Sequence, residues 1–243
     1  PTISSQHAGI GYLVAAKDLR STLSASSDIG WVIVGGSVDA NISSLKGSIG
    51  NIKAGYLLDM SPTADPLTQD SFGTITGGTL GGIIHAAGSI GKIYAYGYRD
   101  NYNNTAASRA VVFTPTGVFG PDGQPAPLAA AALDPPDDVS LGDSSLGKIH
   151  ETITAGGDIG TITAASSLEG IITAGRHLGD VWSGSNLSAQ LTSGQGTLTL
   201  QAWGDLAGSI LAVGDLTLFA YGNTSLDNIK TRAGAAKITI WGN

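Results

Sequence analysis

The chain predicts an all-β fold, a parallel β-solenoid (β-helix) with coils of about 19–20 residues, on three observations. A short phrase recurs from Leu141 onward: SSLGKI at 144–149, GGDIGTITA at 156–164, SSLEGIITAG at 166–175, GRHLGDVWSG at 175–184 and GDLAGSILAVGDLTLFAYGN at 204–223. Its anchoring residues keep a step: Ile159, Leu168, Leu178 and Leu187 lie nine, ten and nine residues apart, and Leu206, Leu216 and Leu226 follow at intervals of ten. Trp203-Gly204-Asp205, Tyr221-Gly222-Asn223 and Trp241-Gly242-Asn243 repeat at 18 and 20 residues, so two phrases make one coil. The runs are short, rich in Ile, Val and Thr, and punctuated by glycine, which favours strands over helices. Strands of four or five residues cannot bury an apolar face alone, but stacked coils share one core and pair their backbones with the rungs on either side.

Composition agrees. Of 243 residues, 42% are apolar and only 13% charged, and 36 are glycine; ordinary soluble domains carry roughly 25% charged residues. Seventeen of the 19 acids are aspartate, a turn residue whose short carboxylate accepts bonds from nearby backbone N–H groups. The formal charge is −7 and no stripe of Lys or Arg occurs, which speaks against nucleic-acid partners. No apolar run approaches the length of a membrane-spanning segment, and the absence of cysteine excludes disulfides and thiolate metal sites.

Taken in order, residues 1–27 read as an N-terminal cap or first coil, with the apolar run Ile10–Ala16 as a strand or an amphipathic cover. Residues 28–98 carry coils in which Ile29, Val38 and Ile49, and later Leu80 and Ile90, hold the same step, interrupted by a short insertion at 56–72 that contains SPTADPLTQD. Residues 99–140 hold six of the nine prolines and the acidic DPPDD run, and read as an insertion loop leaving one coil. Residues 141–243 are regular coils, giving eight or nine coils in all. Alternation in TLTLQAW and TITIW turns Leu198, Leu200, Ile238 and Ile240 inward, and Ile162 and Ile171 are expected in the core.

Four sets of residues are candidates for function. The last coil, with Ile238, Ile240, Trp241 and Asn243, and the first, with Ile3 and Ile10, would expose ladder residues and unpaired strand edges, which suit self-association through the solenoid ends. Trp203, Tyr221 and Trp241 fall at one phase; they either stack at a corner or offer a line of rings to a polysaccharide. Asp134, Asp137, Asp138 and Asp143 could gather around calcium, an oxygen-seeking ion, or form a solvated loop. Asp158, Asp180, Asp205 and Asp215 are acids of the type used in glycoside hydrolysis, yet a glycine adjoins each of them, which marks them as turn residues. His7, His85, His150 and His177 show no metal-ligand spacing. The reading is therefore of a chain with no catalytic set and no required cofactor.

The run GGDIGTITAASSLEGIITAGRHLGDV resembles the repeats of bacterial surface and exported β-helix proteins of the filamentous haemagglutinin-like adhesin type. That resemblance implies a right-handed parallel β-helix, located outside the cell or on its surface, that serves as an adhesin, fibre or surface layer. The expected function is a non-enzymatic extracellular scaffold that self-assembles end to end. The alternative is a polysaccharide-binding adhesin or carbohydrate-active β-helix enzyme.

Overall fold

A computed structural model describes residues 2–58, 73–75, 77–96 and 146–242. Each coil lays one strand in each of two sheets. The first three coils are β1 (Thr2–Ser5) with β2 (Ile10–Ala15), β3 (Thr22–Ala25) with β4 (Ile29–Val34), and β5 (Val38–Asp39) and β6 (Ile42–Ser44) with β7 (Ile49–Ala54). A small hairpin follows, β8 (Tyr56–Leu58) antiparallel to β9 (Gly73–Ile75). The coils continue as β10 (Leu80–Ala86) with β11 (Ile90–Ala95), β12 (Ile149–Ala155) with β13 (Ile159–Ala164), and β14 (Leu168–Ala174) with β15 (Asp180–Ser183). The last three are β16 (Leu187–Ser193) with β17 (Leu198–Ala202), β18 (Leu206–Ala212) with β19 (Leu216–Ala220), and β20 (Thr224–Thr231) with β21 (Ala236–Ile240).

The strands stack in parallel into a ten-stranded sheet running β1-β3-β6-β10-β12-β14-β16-β18-β20, with β5 beside β10, and a nine-stranded sheet running β2-β4-β7-β11-β13-β15-β17-β19-β21. This is the predicted parallel β-solenoid, with about nine turns, and among the described residues there is no helix. The nine- and ten-residue steps of the sequence are alternate visits to the two sheets. The stretch read as an N-terminal cap or first coil, 1–27, holds the first coil, β1 with β2, and the opening strand of the second, β3, on which β1 pairs in register. The solenoid unit comprises Pro1–Tyr98 and Ser144–Asn243; the 99–140 insertion and most of 56–72 lie outside the described residues.

Between the sheets the same residue types recur at the same height. Ile42, Ile84, Ile153, Ile172, Leu191 and Ile210 are joined in register in the first sheet and buried, as are Ile52, Ile93, Ile162, Val181, Leu200 and Leu218 in the second. Each fully buried side chain of this kind contributes roughly 1.5–3 kcal/mol, so the ladder outweighs any surface ion pair. Strands of the second sheet from β2 to β13 share the pattern Ile-Gly-x-(Ile/Leu/Val)-x-(Ala/Val), and Gly30, Gly50, Gly91, Gly160 and Gly179 each stack on the carbonyl oxygen of the glycine one coil away, with no room for a Cβ. From β17 onward the glycine is gone and the strand shortens to strict alternation, Leu-Thr-Leu-Gln-Ala in β17.

Three sequence expectations change. Ile171 is 44% exposed; in β14 the inward residues are Leu168, Ile172 and Ala174, so two adjacent isoleucines face opposite ways and Ile172 is the core residue. Leu226 does not join the Leu206 column, because Thr224 pairs with Leu206 and a register shift at Gly208/Ser209 places Leu226 opposite Gly208. Ile238 and Ile240 pair with Leu218 and Ala220 at inward heights, yet they remain 43% and 44% exposed because β21 is the outermost described rung of its sheet. Leu198 and Leu200 are buried as alternation requires.

Candidate functional site

At several corners on both sides of the solenoid a side chain bonds the next coil. At one corner Asp28 accepts from the Ser48 N–H at 2.7 Å, Ser48 from Ser89 N–H at 3.0 Å, Ser89 from Asp158 N–H at 3.0 Å and Asp158 from His177 N–H at 3.1 Å. At the other, Asn186 accepts from Asp205 N–H at 2.9 Å and Asp205 from Asn223 N–H at 2.8 Å. Asp215 likewise accepts from Ala235 N–H at 2.8 Å. Asp158, Asp205 and Asp215 are thus occupied in satisfying turn amides, while Asp180 stands exposed on β15. The ring Nδ1 of His177 bonds Asp158 at 2.8 Å and holds its carboxyl below the usual range, with Arg176 at 2.7 Å adding to the effect.

Trp203, Tyr221 and Trp241 stack along the corner. Trp203 and Tyr221 are 4.6 Å apart and 7° from parallel; Tyr221 and Trp241 are 6.2 Å apart and 13° from parallel. The facing surfaces of these rings are spent on one another, and burial pushes the Tyr221 hydroxyl pKa up. Only Trp241 is exposed, at 53%. A second aromatic group, not anticipated from the sequence, covers the outer face of the second sheet in the early coils. Tyr12 stacks on Trp31, Tyr96 meets Tyr56 and Tyr94, and the Lys53 ammonium lies 4.7 Å from the Tyr56 ring and 5.7 Å from that of Trp31.

Ile3 is 41% exposed on β1 and Ile10 is partly buried against the core on β2, while Ile238, Ile240 and Trp241 form the outer surface of the last described coil. Asn243 and the acidic set Asp134, Asp137, Asp138 and Asp143 lie outside the described residues. Among the described residues no group of His, Asp and Glu side chains is placed to hold a metal ion, and no helix is long and apolar enough to cross a membrane.

The sequence reading missed one site. In β12 the run Ile149-His150-Glu151-Thr152-Ile153 puts Glu151 at an inward phase, 3% exposed, with no hydrogen-bond partner for either carboxyl oxygen. Glycines flank it on both neighbouring strands, Gly82 on β10 and Gly170 on β14, each with a φ of 120°. Burial, and then the charge of Asp39, push its carboxyl up to about 8, so it is largely protonated at neutral pH. Beside it the outward column reads Asp39, Gly81, His150 from β5 to β12, and the missing side chain at Gly81 opens a hollow of about 380 Å³ bordered by Asp18, Arg20, Asp39, Lys148 and His150. A second hollow of about 400 Å³, bordered by Gly82, Glu151, Thr152 and Ile171, shares His150 with the first. The signal was present in the sequence: Glu151 is one of two glutamates and falls midway between two ladder isoleucines.

No family model, curated protein or solved structure matches this chain.

Proposed function

We propose that the chain is a non-enzymatic structural scaffold, a β-solenoid of the extracellular or cell-surface type that extends by end-to-end self-association. The observation that carries this reading is the parallel stack itself, about nine coils with one shared two-strand cross-section, so that one coil can be laid on another. Among the described residues β20 and β21 have one strand neighbour each, and so have β1 and β2. Ladder positions that are fully buried one rung inward, Leu218 and Ala220, are continued by half-exposed Ile238 and Ile240. A first coil from a second copy has the same two-strand cross-section. Laid on β20 and β21, it would pair both edges and cover those isoleucines in a head-to-tail contact that repeats without closing.

Sedimentation and electron microscopy of the purified chain over a concentration series test this. The expected result is rods that lengthen along the coil axis, with Ile238→Lys/Ile240→Lys shifting the population to single particles. Single particles from the unmodified chain at every concentration would overturn the reading.

A further inference from the structure

We propose that the notch opened by Gly81 and Gly82 on the outer face of the first sheet is a binding subsite for one residue of an uncharged sugar. The argument starts with what the notch lacks. Asp39 and His150 occupy the same outward column with only Gly81 between them. Adjacent strands lie about 4.8 Å apart, so their backbones are separated by about 9–10 Å, and Gly81 itself puts no side chain into the gap. That is room for a pyranose ring with a hydrogen bond on each side.

The chemistry of the lining fits the same occupant. Asp18 pairs with Arg20 at 3.0 Å, which cancels those two charges, and the negative charge of Asp39 is offset by the positive charge of Lys148 on the same rim. The two acids and two bases of the rim sum to zero, so neither an anion nor a cation is favoured. What remains is a close mixture of acceptors and donors, the demand that hydroxyl groups meet because each can give and take a bond. The buried Glu151 carboxyl supplies the second, independent indication. It borders the Gly82 side of the notch with both oxygens covered and unpartnered, an unsatisfied buried polar group whose standing cost a ligand hydroxyl would remove once the side chain turns to meet it. Beside it, Ile83 and Ile171 stand exposed on either side of Thr152 in one outward column, an apolar strip suited to the C–H face of a sugar.

Gly81 provides a selective test. A Cβ there would meet nothing closer than Asp39 Oδ1 and the Val38 carbonyl oxygen, both at 3.8 Å, so Gly81→Val fills the notch without straining the coil. The experiment is titration calorimetry of the full chain with uncharged gluco-, manno- and galacto-configured oligosaccharides, their methyl monosaccharides and their uronic-acid counterparts. The expected result is saturable binding of at least one uncharged sugar. Affinity should fall by about tenfold or more in Gly81→Val and in Asp39→Ala, the loss of one good contact. It should be unchanged in Ser188→Val, which carries the same new side chain in the same column outside the notch. Matching melting curves establish that each variant is folded. Tighter binding of oligosaccharides than of methyl monosaccharides assigns the site to a polymer, and equal binding to a free sugar. Absence of binding by every uncharged sugar at millimolar concentration, binding of uronic acids only, or equal loss in Ser188→Val would overturn the proposal. None of these outcomes bears on end-to-end association.

Discussion

Gly160 rests on the carbonyl oxygen of Gly91 one coil away, with no space between them for a methyl group. The same contact recurs at Gly30, Gly50, Gly91 and Gly179. It explains why Ile-Gly opens strand after strand of the second sheet: the glycine lets successive coils approach at the point where the chain turns from the corner into the strand. Gly160→Ala is expected to cost about 1–3 kcal/mol, the penalty for overfilling a packed interior. Gly11 occupies the same place in the first coil and has open space around it, so Gly11→Ala should stay within about 0.5 kcal/mol. Urea unfolding of the two variants checks the contrast, and equal losses would argue against a steric origin.

Ile162, Ile171 and Ile172 separate core from surface within neighbouring strands. Ile162 and Ile172 are fully buried, whereas Ile171 faces outward at 44% exposure. Truncation to alanine should cost about 2–5 kcal/mol at Ile162 and at Ile172. At Ile171 it should cost about 0.5 kcal/mol or less. Thermal melts followed by circular dichroism give the ranking directly, and a large loss at Ile171 would reverse the assigned phase of β14.

Much of the fold was legible because a solenoid repeats its constraints. The nine- and ten-residue steps from Ile159 to Leu187, and the Trp203/Tyr221/Trp241 marker, are read from spacing alone, since each coil must return every ladder residue to the same height. Phase errors arose where a local feature broke that regularity. Ile171 follows another irregular backbone position, Gly170 at φ 120°, and Leu226 sits at a register shift opposite Gly208. The Glu151 notch depends on residues from three coils, Asp39, Gly81 and Glu151, whose proximity comes only from strand register. Alternation from Ile149 to Ile153 carries the inward phase of Glu151, a signal the sequence reading did not use, and the hollow beside it required the two glycines to be placed next to Asp39 and His150. The aromatic group around Lys53 was hidden for the same reason, because Tyr56 and Tyr96 are joined across coils by the fold and not by spacing.

The corner carboxylates are structural acceptors, and the columns themselves contain the control. Asn186 accepts from the Asp205 N–H at 2.9 Å in the way that Asp205 accepts from Asn223 N–H at 2.8 Å. Asp205→Asn keeps an acceptor at that position and should be close to neutral. Asp205→Ala leaves the Asn223 amide without its side-chain partner and should lower stability by about 0.5–1.5 kcal/mol. Denaturant midpoints of the pair decide the matter; a loss as large in Asn as in Ala would mean that the charge, and not the hydrogen bond, holds the corner.

Glu151 makes the stability of the coil depend on pH in an unusual direction for an acid. Its carboxyl is raised from an ordinary 4.5 to about 8, first by burial and then by Asp39. The folded chain therefore binds this proton over a range in which the unfolded chain has released it. The contribution is fully present below pH 4.5, declines as pH rises, and is lost once pH passes about 8. At about 1.36 kcal/mol per pH unit, the total is on the order of 5 kcal/mol. Glu151→Gln carries an uncharged side chain of the same shape at every pH. Its stability curve should run flat between pH 5 and pH 9 where that of the unmodified chain falls, so the variant becomes the more stable protein on the alkaline side. Chemical unfolding at half-unit pH steps measures the difference, and parallel curves for the two proteins would show that Glu151 is ionised and solvated in the folded coil.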